Sequence, residues 1–336
     1  MSETIDYTVQ LASKQSTQTD SIAKFFREMF DNVCHSISQI DRQHFIETPW
    51  YREQEKWVKG KTRGDSIYVD RSLQDGSVFE KIGANYVAIH GKMPPGVTLQ
   101  RAGALATNAA DRQTEGAEVS FFATGTSFVI HPVNPMVPTV HCNYRYMQIK
   151  QGDRPDYWWF GGGADLTPAY IFEGDAIHFH QVHKQACDRH DLNYYPKFKH
   201  GCDDYFKLRH RDEGRGIGGI FFDQLNHLEK DTLFDFVKDC AESFPVAYFP
   251  IVERRQDTPF TQVQKQWQQI VRGRYVEFIL SSDRGAKFGL ESGLVSPQSV
   301  FNCMPPLAAW LYDDTPTPNS AESMLTEIWK RPRQWV

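Results

Sequence analysis

The chain changes texture once, and that change limits its fold more than any other feature. From about residue 65 to 150, runs rich in β-branched and aromatic residues (VFEKIGANYVAIHG, EVSFFATGTSFVIHP, TVHCNYRYMQI) are separated by Gly, Pro and Asn, the pattern of successive strands. After the stretch YWWFGGGADLTPAY that begins at Tyr157, helical spacing predicts helices near 174–190, 200–212, 230–243 and 258–271, a short strand at 274–280 and a last helix near 320–330. Upstream, Ile22, Phe25, Phe26, Met29, Phe30, Val33 and Ile37 mark one more helical face, with Asp20 or Ser21 placed to cap it. Strands first and helices afterwards predict an α+β fold, a single large, mostly antiparallel sheet flanked by helices. No internal repeat and no Pro-, Gly- or Ser-rich linker divides the chain, so residues 20–336 are expected to form one domain behind a flexible polar segment at 1–19.

Charge and cysteine usage exclude several classes. Lys plus Arg number 37 against 42 Asp plus Glu, a net charge of −5 in 336 residues, so no overall basic field favours nucleic acid and any anion must be held by local arginines. No apolar run approaches the roughly 18 residues of a membrane span. The start MSETIDYTVQLASKQSTQTD has neither the basic-then-apolar pattern of a secretory signal nor an Arg-rich, acid-poor presequence, and a cytoplasmic location is expected. Six scattered cysteines without a C-x-x-C pair read as buried thiols, not as a zinc knuckle or a disulfide framework. GRGIGG at Gly214 follows a charged segment and precedes IFFD, the wrong context for a dinucleotide-binding turn.

Four places concentrate chemistry, beside the three glycines at 161–163, which read as either a tight turn or a ligand-facing loop. In HCNYRYM, strand alternation puts His141, Asn143 and Arg145 on one face and Cys142, Tyr144 and Tyr146 on the other; the polar face is either a site or a solvated sheet surface. In GTSFVIHPVNP, Ser127 and His131 lie four apart and share a face of a regular strand. DAIHFHQVHKQACDRHD sets His180 and His183 three apart on a helix, yet without the carboxylate or cysteine spacing of a known metal motif. YFKLRHRDEGRGIGGIFFDQ gathers Lys207, Arg209, His210, Arg211 and Arg215 before a glycine turn and Asp223, either a fork for carboxylate ligands or an exposed, salt-bridged segment.

Five stretches, HPVNPMVPTVHCNYRYM, WWFGGGADLTP, HRDEGRGIGGIFFD, DRGAKFGL and MPPL, stand in one order across about residues 76–312. Together they resemble the oxygen-dependent coproporphyrinogen III oxidases of haem biosynthesis. The resemblance implies a homodimer with a curved antiparallel sheet. It also implies conversion of two propionates of coproporphyrinogen III to vinyl groups with O2 as co-substrate and no organic cofactor, giving protoporphyrinogen IX, CO2 and H2O2. The family's proton donor falls on His141, its substrate contacts on Ser127, Asn143, Tyr144 and Arg145, and an acid with an arginine partner on Asp223 and Arg211. Histidines sometimes proposed as ligands of a divalent metal fall on His131, His141, His180 and His210. Trp158, Trp159 and Phe160 would supply aromatic walls for the macrocycle. One loop departs from the family: a further substrate contact falls on Leu294, Val295 and Ser296, where the usual arginine and the glutamate beyond it are absent. That departure keeps a second reading open, a divergent paralogue that binds porphyrinogen with little turnover. The residues alone leave a third, a histidine-liganded metal oxygenase.

Overall fold

The computed structural model describes residues 18–52, 63–92, 119–151, 156–292 and 296–336. Helix α1 (Gln18–Asp41) leads into strands β1 (Ile46–Arg52), β2 (Arg63–Gln74), β3 (Phe79–Lys92), β4 (Val119–Pro132), β5 (Thr139–Gln151) and β6 (Tyr157–Thr167). Helices α2 (Glu173–Asp188) and α3 (Tyr194–Tyr205) follow, then the short strands β7 (Lys207–Leu208) and β8 (Glu213–Gly214) and the last sheet strand, β9 (Gly219–Leu225). Helices α4 (Lys230–Arg255), α5 (Gln262–Ser281), α6 (Arg284–Ser292), α7 (Pro297–Phe301) and α8 (Ala321–Lys330) complete the chain. Seven strands form one sheet in the order β1-β2-β3-β4-β5-β6-β9, every neighbouring pair antiparallel. This is the α+β architecture expected from the texture of the chain.

Alternation decides what each strand buries. Ile82, Ala84 and Tyr86 of β3, Phe128 and Ile130 of β4, Cys142, Tyr144 and Tyr146 of β5 and Phe160, Ala164 and Leu166 of β6 share one core with residues of α1, α2 and α4. Phe128 lies 5.8 Å from Phe30 of α1 and stacks on Phe244 of α4, and the Tyr144 hydroxyl donates to the Cys240 carbonyl at 2.9 Å. The opposite face is partly covered by a smaller cluster in which Val129 meets Cys202, Phe206, Leu208, Tyr275, Phe278 and Ile279. The rest of that face carries the polar residues of β5. All six cysteines are free and five are buried, and no helix among the described residues is long and apolar enough to cross a membrane.

Several local expectations need correction. The expected helix at 200–212 is instead α3, ending at Tyr205, followed by a β7–β8 hairpin that pairs Lys207 with Gly214 and turns through Asp212 at φ 55. The expected strand at 274–280 is the last part of α5: its β-branched and aromatic residues read as strand, but Tyr275, Phe278 and Ile279 fall on one buried helical face. Helix α4 continues to Arg255 through Pro245 and Pro250 instead of stopping near 243. Pro250 has no N–H for the Val246 carbonyl, and that carbonyl accepts from His178 Nε2 of α2 at 3.1 Å. Helices α6 and α7 have no counterpart in the sequence reading. The glycines at 161–163 form neither a turn nor a loop; they lie inside β6, buried. Helix α1 begins at Gln18, two residues before the expected cap; most of the polar segment at 1–19 lies outside the described residues.

Candidate active site

The sheet register assembles the site in transverse rows. His141, Asn143 and Arg145 of β5 stand opposite Val129, Ser127 and Gly125 of β4 and opposite Asp165, Gly163 and Gly161 of β6. Because alternation gives every member of a row the same face, Ser127, His141, Asn143, Arg145 and Asp165 point away from the helical core. Two charge networks grow from these rows.

In the first, His141 Nδ1 lies 2.8 Å from Asp165 Oδ1, and Arg215 Nη2 donates to Asp165 Oδ2 at 2.7 Å. The carboxylate can only accept, so Nδ1 carries the proton and Nε2 of the neutral ring keeps its lone pair for a ligand. The His141 side chain is 22% exposed, whereas Asp165 and Arg215 are 3% and 1% exposed. Burial by itself would raise the pKa of the Asp165 carboxyl, but Arg215 and His141 outweigh it and hold the group below its ordinary value. Arg215 is packed on Phe206, Tyr275 and Phe278, 4.0, 4.6 and 4.7 Å from its guanidinium carbon to the ring centres.

In the second network, Arg145 Nη2 and Arg284 Nη2 each donate to one oxygen of Asp223, both at 3.0 Å, while Arg145 Nη1 donates to Asn143 Oδ1 at 2.6 Å. Two guanidiniums against one carboxylate leave a net positive charge, and both arginine side chains are more than a third exposed. Such a pair suits a carboxylate ligand through charge-assisted hydrogen bonds. The glycines of β6 make the arrangement possible. A Cβ at Gly161 would lie 2.8 Å from Asp223 Oδ1 and 2.9 Å from Arg145 Cζ, and one at Gly162 would lie 2.6 Å from Tyr144 Cδ1 on the other face. The bare backbone therefore clears space for the Arg145–Asp223 pair above the sheet and for a core tyrosine below it.

The structure brings Ser127, His141, Asn143, Arg145 and Asp223 to this one face. Tyr144 is corrected: it is fully buried on the helical side and bonded to Cys240, because successive strand residues alternate. Arg211 is also corrected. It sits on the hairpin and donates from Nε and Nη2 to Glu277 at 2.7 and 2.8 Å; Asp223 has Arg145 and Arg284 instead. Of the expected aromatic walls only Trp159 shares the site's face, since Phe160 stacks on Phe234 in the core and Trp158 packs against Phe160. Leu294 and Val295 lie outside the described residues, and Ser296 is the N-cap of α7, its hydroxyl accepting from Ser299 N.

The four histidines do not fit a common metal. His131 Nε2 donates to the Cys303 carbonyl, His180 bridges the Tyr195 hydroxyl and the Ile217 carbonyl, His210 pairs with Glu277 and His141 with Asp165. Among the described residues no three His, Cys, Asp or Glu side chains are grouped to hold a metal ion. The members that sequence reasoning missed are Asp165 and Arg215 as partners of His141, and Arg284 as a partner of Asp223. The acidic residue just after the glycines was the available signal, but its pairing with His141 appears only once β6 lies beside β5.

Residues 21–335 match the coproporphyrinogen III oxidase family. Coproporphyrinogen-III oxidase 1, chloroplastic, of Arabidopsis thaliana is 44% identical over 330 residues, 96% of this chain and 81% of that protein. The oxygen-dependent coproporphyrinogen-III oxidase of Drosophila melanogaster is 47% identical over 282 residues, 84% of this chain and 70% of that one. The mitochondrial human enzyme of that name is 42% identical over 304 residues, covering 90% and 64% respectively. The matched span runs from α1 to the C-terminal residues and includes every member of both charge networks, so the chain belongs to the coproporphyrinogen III oxidase family.

Proposed function

We infer that this chain oxidatively decarboxylates two propionates of coproporphyrinogen III to vinyl groups, yielding protoporphyrinogen IX. Each turnover balances as one propionate side chain, one O2 and one proton giving one vinyl group, one CO2 and one H2O2. The observation that carries the reading is the exposed Arg145–Asp223–Arg284 fork on the same sheet face as His141, with Trp159 buried on the same face of the neighbouring strand. The fork offers two guanidiniums to a carboxylate of the macrocycle, and the Asp223 carboxylate can accept from a pyrrole N–H. His141 Nε2 faces the ligand side as proton acceptor or donor, and Asp165 fixes the ring and stabilises its charged form. Ser127 and Asn143 add polar contacts in the row between His141 and Arg145.

Arg284 also bears on the altered loop at 294–298: it supplies a cation at the fork, whereas Arg274 is committed to Asp314 and Glu213. A grip on a carboxylate at the fork therefore does not depend on the arginine missing from that loop. The proposal includes operation without an organic cofactor or a resident metal, a homodimer and a cytoplasmic location. Exposed Leu307, Trp310, Leu311 and Tyr312 support a self-association surface, to be checked by sedimentation. The relatives' names carry chloroplastic and mitochondrial locations, and cell fractionation decides among compartments. The central experiment supplies anaerobically prepared coproporphyrinogen III to the purified protein and follows O2 uptake and porphyrin product, with and without a chelator. One O2 per vinyl group, unchanged by chelation, is expected. Tight binding without O2 uptake would establish the paralogue reading, and activity lost on chelation would restore a metal oxygenase.

A further inference from the structure

Strand β9 breaks its alternation at the point where it reaches the site. Phe160 pairs with Leu225 and Gly162 with Phe222, so Asp223 and Gln224 together stand opposite the single residue Gly161, a β-bulge. In an unbroken strand Leu225 would follow Phe221 and Asp223 onto the polar face. The extra residue returns Leu225 to the helical core, where it is 4% exposed, and leaves Asp223 among the arginines.

Gln224 absorbs the extra residue at φ 54, a left-handed conformation that crowds any Cβ and is uncommon outside Gly, Asn and Asp. Its side chain makes no hydrogen bond among the described residues, but its backbone N–H donates to Asp223 Oδ1 at 3.0 Å. That oxygen also accepts from Arg145, which leaves Oδ2 to Arg284. Gly161, directly opposite, has no Cβ to collide with the same oxygen. Backbone strain, an amide aimed at the carboxylate and a cleared space thus converge on the orientation of one side chain.

We propose that Gln224 is a positioning residue: its left-handed backbone, and not its side chain, aims Asp223 so that each carboxylate oxygen takes one arginine and the two guanidiniums are held ready for a substrate carboxylate. This rests on the propionate-binding reading of the site. The test is the series Gln224→Gly, Gln224→Asn, Gln224→Ala and Gln224→Val, with KM and kcat for coproporphyrinogen III and Kd for coproporphyrin III, the oxidised, non-reacting macrocycle with the same four carboxylates. KM and Kd should follow backbone tolerance: Gly and Asn lowest, Ala higher by about fivefold, and Val by up to about thirtyfold, with kcat changing less. Should the Val variant fail to fold, the step from Gly to Ala still decides.

Variants that lose melting temperature in that order while KM and Kd stay flat would reduce the bulge to a structural role and overturn the proposal. So would a Gly variant as impaired as Val, which would move the effect to the side chain. Wild-type protein that binds coproporphyrin III without turning over the porphyrinogen would sink the enzymatic reading alone, and the Kd series would still test Gln224. Protein that binds neither compound would overturn both.

Discussion

At Asp165 two demands meet, a buried charge that must be neutralised and a histidine ring that must be oriented. Arg215 meets the first and His141 requires the second. Asp165→Asn keeps the shape but leaves the Arg215 guanidinium buried without a counter-ion, so a loss of about 3–5 kcal/mol of stability is expected in urea unfolding. The amide could also present its N–H₂ to Nδ1 and reverse the ring's proton, and kcat should fall by about a hundredfold or more in whatever fraction stays folded. The wild-type pair has a defined acid limit. Because the folded pKa of Asp165 lies below its ordinary value, its contribution is complete above the unfolded pKa of about 4 and is lost as pH falls through the folded value. His141, Asn143 and Arg145 were legible in the sequence because alternation is a local rule, and the same rule should have removed Tyr144 from the substrate contacts. Asp165 and Arg215 were not legible as partners, because they are 50 residues apart and the carboxylate is 24 from His141. Only strand pairing and the turn before β9 bring them together.

Among the elements, α2 shows how the histidines of a His-rich segment can be packed into a core. His180 and His183 are fully buried, and burial lowers the pKa of each to about 3, so both are neutral in the folded protein. In the unfolded chain each takes up a proton below about pH 6.5. The unfolded state therefore binds more protons, and each histidine should cost about 1.4 kcal/mol of stability per pH unit as the pH falls from about 6.5 towards 3. His183→Phe keeps a ring against Phe179, 4.6 Å away in the wild type, and removes one titrating group. Urea midpoints between pH 6 and 4.5 should fall less steeply in this variant; an unchanged slope would mean that His183 is already charged in the fold. Element type was legible wherever periodicity ran long, as in α1, and failed where composition competed with it. The end of α5 carries strand-forming residues on a helical face, and α4 continues beyond two prolines because its buried stripe, from Leu233 to Val252, is continuous.

On the scale of the whole molecule, the order of strands before helices was enough to anticipate one antiparallel sheet with helices around it, since six of the seven strands pair with a sequence neighbour. What it could not supply was the exception. β9 returns after two helices and a hairpin to close the edge beside β6, and it brings Asp223 with it. The net charge of −5 likewise conceals a site of opposite sign, because charge totals carry no information about position. The carbonyl of Val246, released by Pro250 and taken by His178, has a consequence for how the molecule comes apart. A helix that completes its own ladder can fray alone, whereas α4 shares one of its bonds with α2 and packs against that helix. Opening either helix should expose amides in both, so in native-state hydrogen exchange residues 176–187 and 233–252 should lose protection as one cooperative unit. His178→Ala should let α2 exchange ahead of α4.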